Sequence, residues 1–151
     1  MQPRLDGNKY PGARAAMLGV SKYVRESGLE PSLLELVKMR ASQMNGCAFC
    51  LDMHSKDARI AGETEQRLYA LNAWRETPFF SDRERAALEW AESLTDVAHS
   101  HVPDEVYEGV RKHFTEEELV NLTLAVVEIN GWNRIAIAFR MVAGSYQPAK
   151  H

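Results

Sequence analysis

The chain has 151 residues, of which 45% are hydrophobic and 26% charged, and this composition is typical of one globular domain with its own hydrophobic core. The formal net charge is −3 and lysine and arginine form no cluster, which argues against nucleic acid as a partner. No apolar run approaches the roughly 20 residues that cross a bilayer, so we expect a cytoplasmic protein that does not enter the membrane.

The first two predicted helices are recognised by their spacing and by the residues that begin or end them. Apolar side chains recur at helical spacing over residues 13–24, and Gly28 is a candidate C-terminal cap. Pro31 is favoured at the first position of a second helix, which the dipeptide Asn45-Gly46 should end.

The next predicted helices follow one another closely. A third is expected from about Cys47 to Ala61, with Gly62 after it, and a fourth over residues 63–76. The stretches 81–84 and 115–118 both have the form of a capping box, in which a hydroxyl and a carboxylate satisfy each other's backbone amides. Two more helices should therefore begin at these places.

The last part of the chain completes an all-α pattern. Pro103 opens a shorter helix between the two capping boxes, and the final helix should continue into residues 139–144, with Gly131 as a candidate bend. Residues 1–151 contain no convincing alternating strand, linker or repeat. We therefore predict a single-domain, antiparallel helical bundle of about seven helices.

Three of these helices, the second, third and seventh, have apolar residues around most of their circumference. Such a helix must be buried on most sides. In a domain of this size part of that burial can come from another subunit, so we predict a homo-oligomer.

The only two cysteines, Cys47 and Cys50, precede His54 at the start of the third helix. If that helix begins at Asn45 or Gly46, the thiols and the imidazole lie in a line along one face, with Cys47 in the first turn. A helix N-terminus stabilises a thiolate and favours Cys47, whereas a neighbouring histidine can act as a base for Cys50. In a reducing cytosol such a pair is more often catalytic than structural.

Glu35 is a fourth candidate, because it interrupts the apolar run Leu33-Leu34-x-Leu36-Val37. A carboxylate on a largely buried helix needs a polar partner. We expect Glu35 to orient or recharge His54, as the third member of a nucleophile, base and orienter series.

Other interpretations of the cysteine motif remain open at this point. Cys47, Cys50 and His54 are zinc ligand types, with Glu35 or water as a fourth, although thiols at positions i and i+3 of a regular helix converge poorly on one metal. Buried cysteines can also serve as small hydrophobic side chains. In that case the protein would be a non-catalytic oligomeric binding protein.

Taken together, the motif and the second half of the chain resemble a known family. Glu35, Cys47, Cys50 and His54 form the pattern E-x11-C-x-x-C-x-x-x-H, and Asn130, Asn133 and Arg134 form an N-x-x-N-R element. Over about Leu29 to Phe139, the sequence resembles the alkylhydroperoxidase D (AhpD)-like branch of the carboxymuconolactone decarboxylase family.

The resemblance implies an AhpD-like helical fold, assembly into trimers or hexamers, and reduction of hydroperoxides or of a partner disulfide. It implies that Cys50 attacks the peroxide, Cys47 resolves the product, and Glu35 and His54 relay protons. An external dithiol, either a lipoyl group or a thioredoxin-like protein, would reduce the enzyme again. No bound cofactor is expected, since the chain has no nucleotide or flavin motif.

One residue departs from the best-studied members of this branch, which carry a second histidine directly before the second cysteine. Here that position is Phe49, so that the choice between hydroperoxide and disulfide as the substrate stays open. Elsewhere, His99 and His101 are expected to be solvated loop residues. The N-x-x-N-R element is expected to form hydrogen bonds between helices or subunits, with a role in shaping the pocket as the alternative.

Overall fold

The structure, a computed structural model, describes residues 2–148. In this part of the chain it contains eight α-helices, two short 3-10 segments and no strand, which confirms the all-α prediction. The α-helices are α1 (Pro11–Arg25), α2 (Pro31–Asn45), α3 (Ala48–Ile60), α4 (Glu65–Ala70), α5 (Asp82–Thr95), α6 (Val97–Ser100), α7 (Asp104–Arg111) and α8 (Glu116–Phe139), and the 3-10 segments are Gly7–Lys9 and Leu71–Glu76.

Most predicted helix starts are confirmed by their caps. Pro31 is the first residue of α2, and Gly46 takes the left-handed conformation directly after this helix, with φ of 68°. Ser81 and Thr115 both form complete capping boxes, with Glu84 and Glu118 respectively. These boundaries were predictable because each depends on residues within one turn of it.

The structure differs from the predicted helices in four ways. The fourth predicted helix is split, because the backbone of Ala73 is not helical and a 3-10 segment replaces its second half. The short helix α6 was not predicted. α1 ends at Arg25 and does not reach Gly28. α8 is one continuous helix across Gly131 and ends at Phe139, where Arg140 turns left-handed, so that it does not continue to residue 144.

Helix α2 lies at the centre of the fold and packs against α3, α5 and α8. Apolar side chains on one side of α2 join a cluster with α1, α5, α7 and α8, and those on another side join a cluster with α3, α4 and α5. Fully burying one leucine of such a cluster contributes roughly 1.5–3 kcal/mol. This packing fixes α2, on which Glu35 lies, relative to α3, on which His54 lies.

Two of the three helices predicted to be mostly buried meet that expectation only in part. The buried residues of α3 are Cys50, His54 and Ala58, which form a single line along the helix. α8 is buried along most of its length but exposes Val120 and Val127.

None of the helices in residues 2–148 combines the length and the apolar character that crossing a membrane requires.

Candidate active site at the Cys47–Cys50 turn

Cys47 lies at the N-cap of α3 and not, as predicted, in its first turn. The reason is the left-handed turn at Gly46, after which the Cys47 N–H donates back to the Ser42 carbonyl at 3.0 Å and Cys47 stays extended. The Cys47 sulfur accepts the backbone N–H of Cys50 at 3.4 Å. Both sulfurs therefore lie at the positive end of α3, and the helix dipole does not single out Cys47.

The two cysteines form a disulfide bond with a Cα–Cα distance of 5.4 Å. Each residue is only 1% exposed, and the pair packs with Ala41 of α2 and Ile129 of α8. Phe49, between the cysteines, is partly buried against the same cluster. The extended backbone of the first cysteine lets a pair at this spacing close a disulfide at a helix start.

His54 and Glu35 are in contact, as the sequence predicted. The Nδ1 atom of His54 lies 2.8 Å from Oε2 of Glu35, and the two side chains are 8% and 20% exposed. An ionised carboxylate only accepts hydrogen bonds, so Nδ1 carries the proton in this pair and Nε2 is the basic nitrogen. His54 follows Cys50 by one helical turn on the same buried face of α3.

Sequence reasoning missed two residues near this pair, Asp57 and Tyr146. Asp57 of α3 lies close enough that one ligand atom each of Glu35, His54 and Asp57 lies within 4.8 Å of the others. The Tyr146 hydroxyl donates to Asp57 at 2.8 Å. Asp57 could have been found from its position three residues after His54, on the same helix face. Tyr146 could not, because no local pattern links it to α3.

Glu35, His54 and Asp57 also form a donor set for a divalent cation, because carboxylate oxygen and imidazole nitrogen are common ligands. In this structure Glu35 and His54 are hydrogen-bonded to each other, and both oxygens of Asp57 accept a hydrogen bond from the Tyr146 hydroxyl. The cysteine sulfurs of the zinc alternative are joined in the disulfide, whereas a cysteine that binds zinc does so as a thiolate.

Comparisons with known proteins assign the chain to a family. Residues 11–93 match the model of the carboxymuconolactone decarboxylase family. YdfG of Bacillus subtilis (strain 168), an uncharacterized protein, is 50% identical over 135 residues, which cover 89% of this chain and 92% of YdfG. The chain belongs to the carboxymuconolactone decarboxylase family.

Solved structures place it in the AhpD-like branch of that family. ATU0492 from Agrobacterium tumefaciens, a protein of unknown function described as a candidate antioxidant defence protein AhpD, superimposes with a TM-score of 0.93 and 41% identity, covering 96% of this chain and all of ATU0492. The debrominase Bmp8 shares the fold at a TM-score of 0.79 with 19% identity, over 91% of this chain and 74% of Bmp8.

The N-x-x-N-R element of this family member joins α8 to the end of α2. Asn45 donates to the side-chain oxygens of Asn130, at 3.0 Å, and Asn133, at 2.8 Å. Asn133 is fully buried and donates in turn to the Ser42 hydroxyl at 3.0 Å. The predicted hydrogen bonding between helices is confirmed for Asn130 and Asn133, which hold the residues directly before the Gly46–Cys47 turn, whereas the exposed Arg134 bonds to Asn130 within α8.

The histidines outside the site have ordinary surroundings. His99 lies on the short helix α6, not in a loop, and its ring nitrogen is 2.6 Å from an oxygen of Asp96. That hydrogen bond and the charge of Asp96 raise the pKa of His99. His99 and His101 are both exposed, as the sequence predicted.

Proposed function

We propose that this protein is a thiol-dependent oxidoreductase that reduces hydroperoxides through Cys50 and Cys47. The observation that carries the proposal is a buried disulfide at a helix start, one turn from a histidine bonded to a carboxylate. This arrangement combines a nucleophile, a resolving thiol and a proton relay in one site.

The first step is the attack of the Cys50 thiolate on the terminal oxygen of the hydroperoxide. A sulfur–oxygen bond forms, the oxygen–oxygen bond breaks, and the leaving alkoxide takes a proton from His54 to become an alcohol. Cys50 is oxidised to a sulfenic acid while the peroxide is reduced. Glu35 holds the Nδ1 side of the ring and stabilises the imidazolium that precedes proton donation.

The second step forms the disulfide that the structure contains. The Cys47 thiolate attacks the sulfenic sulfur of Cys50, a sulfur–sulfur bond forms, and the hydroxyl leaves as water after taking a proton. An external dithiol then reduces the disulfide by two successive thiolate attacks and is itself oxidised to a disulfide. The enzyme returns to the dithiol state without a bound cofactor.

The burial of the cysteines favours a small oxidant over a folded protein. A flat protein surface cannot contact residues that are each 1% exposed, so a small hydroperoxide fits this burial better. For the same reason, we propose that the reductant carries its dithiol on a slender arm, as a lipoyl group does.

Reduction of a partner disulfide by the same cysteines is the second candidate, and Phe49 is the observation that favours it. An apolar side chain beside the sulfurs offers no additional proton donor for a leaving alkoxide. The leaving group from a disulfide is a thiolate, which is a weaker base than an alkoxide and so depends less on such a donor. Dihydrolipoamide and a reduced thioredoxin-like protein should be compared as electron donors, both for the reduction of a hydroperoxide and for the reduction of a model disulfide.

Cysteine variants test the mechanism. The reduced protein is treated with cumene hydroperoxide in the absence of oxygen, and the products are identified by mass spectrometry with dimedone as a trap for sulfenic acid. The unaltered protein should form the disulfide, Cys47→Ser should accumulate sulfenic acid at Cys50, and Cys50→Ser should not react at comparable rates. His54→Gln removes the general acid and should react roughly 100-fold more slowly or worse. Glu35→Gln should also react more slowly, because His54 loses the carboxylate that stabilises its imidazolium.

The same experiment can contradict the proposal. Peroxide turnover by Cys50→Ser at the unaltered rate would show that another group attacks the oxidant. If the reduced protein ignores peroxide but reduces a model disulfide quickly, the second candidate replaces the first.

A further inference from the structure

Two side chains outside the proposed mechanism join the pair formed by Glu35 and His54. One atom each of Glu35, His54 and Asp57 lies within 4.8 Å of the others. The Tyr146 hydroxyl donates to both oxygens of Asp57, at 2.8 and 3.1 Å. The mechanism above uses neither Asp57, which lies beside its proton relay, nor Tyr146, which contacts Asp57.

The segment that follows α8 is held against α3 on both sides of the phenol. The Gly144 N–H donates to the Asp52 carboxylate at 3.0 Å. The Lys56 ammonium group donates to the Tyr146 carbonyl at 3.0 Å and also pairs with Asp52. These contacts, together with the bond to Asp57, fix the position of the phenol hydroxyl.

Two carboxylates lie close to one imidazole, and their negative charges repel each other. The Tyr146 hydroxyl engages Asp57, which leaves Glu35 as the acceptor for His54. Burial, followed by the hydrogen bond to Asp57 and the nearby carboxylate charges, raises the pKa of Tyr146 to about 12. The phenol therefore stays protonated at neutral pH and acts as a donor.

Charged or titratable groups lie on α2, α3, α8 and the C-terminal segment. α8 packs on both α2 and α3, and its buried carboxylate is paired with a lysine of α2 at 3.4 Å. The groups are Glu35 and Lys38 on α2, Asp52, His54, Lys56 and Asp57 on α3, Glu128 on α8, and Tyr146 on the C-terminal segment.

We infer that Asp57 and Tyr146 are positioning residues that keep the proton relay in its working geometry. With Asp57 engaged by the phenol, Glu35 holds Nδ1 of His54, and the proposed relay uses the other ring nitrogen. The effect on turnover rests on the proposed function. The contacts of Asp57 and Tyr146 are observed in the disulfide form, so their effect on His54 can be measured in that form.

The test is the pH midpoint of the His54 imidazole signals, measured by NMR on histidine-labelled protein in the disulfide form and assigned with His54→Gln. Asp57→Asn removes a negative charge near the ring and should lower the midpoint by on the order of one pH unit. Tyr146→Phe leaves the Asp57 charge without its donor and should raise the midpoint by a smaller amount.

Tyr69→Phe is the matched control, because it removes the same hydroxyl from a tyrosine of α4 that is 76% exposed. It should leave the His54 midpoint unchanged. Thermal melting of each variant reports whether it is folded, and loss of structure does not explain shifts of opposite sign in two variants. An unchanged midpoint in folded Asp57→Asn and Tyr146→Phe overturns the inference.

Kinetic measurements separate this inference from the proposed function. Where peroxide turnover exists, the pH profile of kcat/KM should move in the same directions as the NMR midpoints. If the unaltered protein reduces no peroxide, the proposed function fails, while the NMR midpoints still decide the role of Asp57 and Tyr146.

Discussion

Gly46 shows how one residue prepares the site. Its φ of 68° ends α2 and turns the chain so that Cys47 reaches the N-cap of α3. Residues other than glycine are strained in this left-handed conformation, because they carry a Cβ atom. A Cβ at Gly46 would meet no atom within 4 Å, so the demand for glycine is conformational and not steric.

Replacing Gly46 by alanine should therefore lower the free energy of unfolding by about 1 kcal/mol. Gly19→Ala is the matched control, since Gly19 lies inside α1 with open space around it, and alanine there should raise the stability by roughly 0.5–1 kcal/mol. Urea denaturation measures both changes. Equal effects of the two substitutions would contradict the conformational argument.

The contact between α2 and α8 combines polar groups with the apolar core. Besides the amides of Asn45, Asn130 and Asn133, it contains an ion pair between Lys38 and Glu128 at 3.4 Å, whose side chains are 12% and 5% exposed. A buried pair of this kind adds little net stability, because both ions lose their hydration. Removing one partner is different, since it leaves a charge buried without its counterion.

Lys38→Met should destabilise the protein by about 3–5 kcal/mol, because Glu128 loses its counterion. The double variant Lys38→Met/Glu128→Leu should recover most of this loss, since two apolar side chains of similar size can pack in the same space. Urea denaturation of both single variants and the double variant completes the cycle. A double variant as unstable as the sum of the singles would show that the two residues do not interact.

Arginine–glutamate pairs connect several helices across the whole molecule. Arg67 of α4 binds Glu84 of α5 at 2.5 Å, and Arg40 of α2 binds Glu92 of α5 at 2.6 Å. Burial acts to raise the pKa of Glu92, but hydrogen bonds from arginine and Trp74 outweigh it and hold this pKa below its ordinary value of 4.5. Burial likewise acts to raise the pKa of Glu84, but the hydrogen bonds from Arg67 and from the Ser81 backbone outweigh it and lower this pKa.

The protein should therefore lose stability in acid. In the unfolded chain these carboxyl groups take up protons near their ordinary pKa of 4.5, while in the folded protein they remain ionised to lower pH. Their contribution is thus complete above about pH 5 and is lost as the pH falls through the folded pKa values. Urea denaturation between pH 7 and pH 3 measures this decline.

Substitution at single positions checks the origin of the acid effect. Glu92→Gln should weaken the dependence of unfolding free energy on pH, since it removes one contributing group. Glu105→Gln, at an exposed position of α7, is the control and should leave the dependence unchanged. A pH dependence that is the same in all three proteins would assign the effect to other groups.

The predictable part of the fold and of the site depends on residues close in sequence. The capping boxes at Ser81 and Thr115 and the proline at the start of α2 act within one helical turn. The splitting of the fourth helix at Ala73 was not predictable, because good helix formers there are overruled by packing. Assembly into a homo-oligomer remains a prediction.

The sequence by itself determined the all-α class and the candidate quartet of Glu35, Cys47, Cys50 and His54, because these follow from spacing along the chain, and its motifs carry the resemblance to the family. Only the tertiary structure decided that Cys47 caps α3 and that Tyr146 reaches Asp57 from 89 residues away. The physical reason is that a contact of this kind depends on where the whole packed core directs the chain after α8, and no local pattern records that direction.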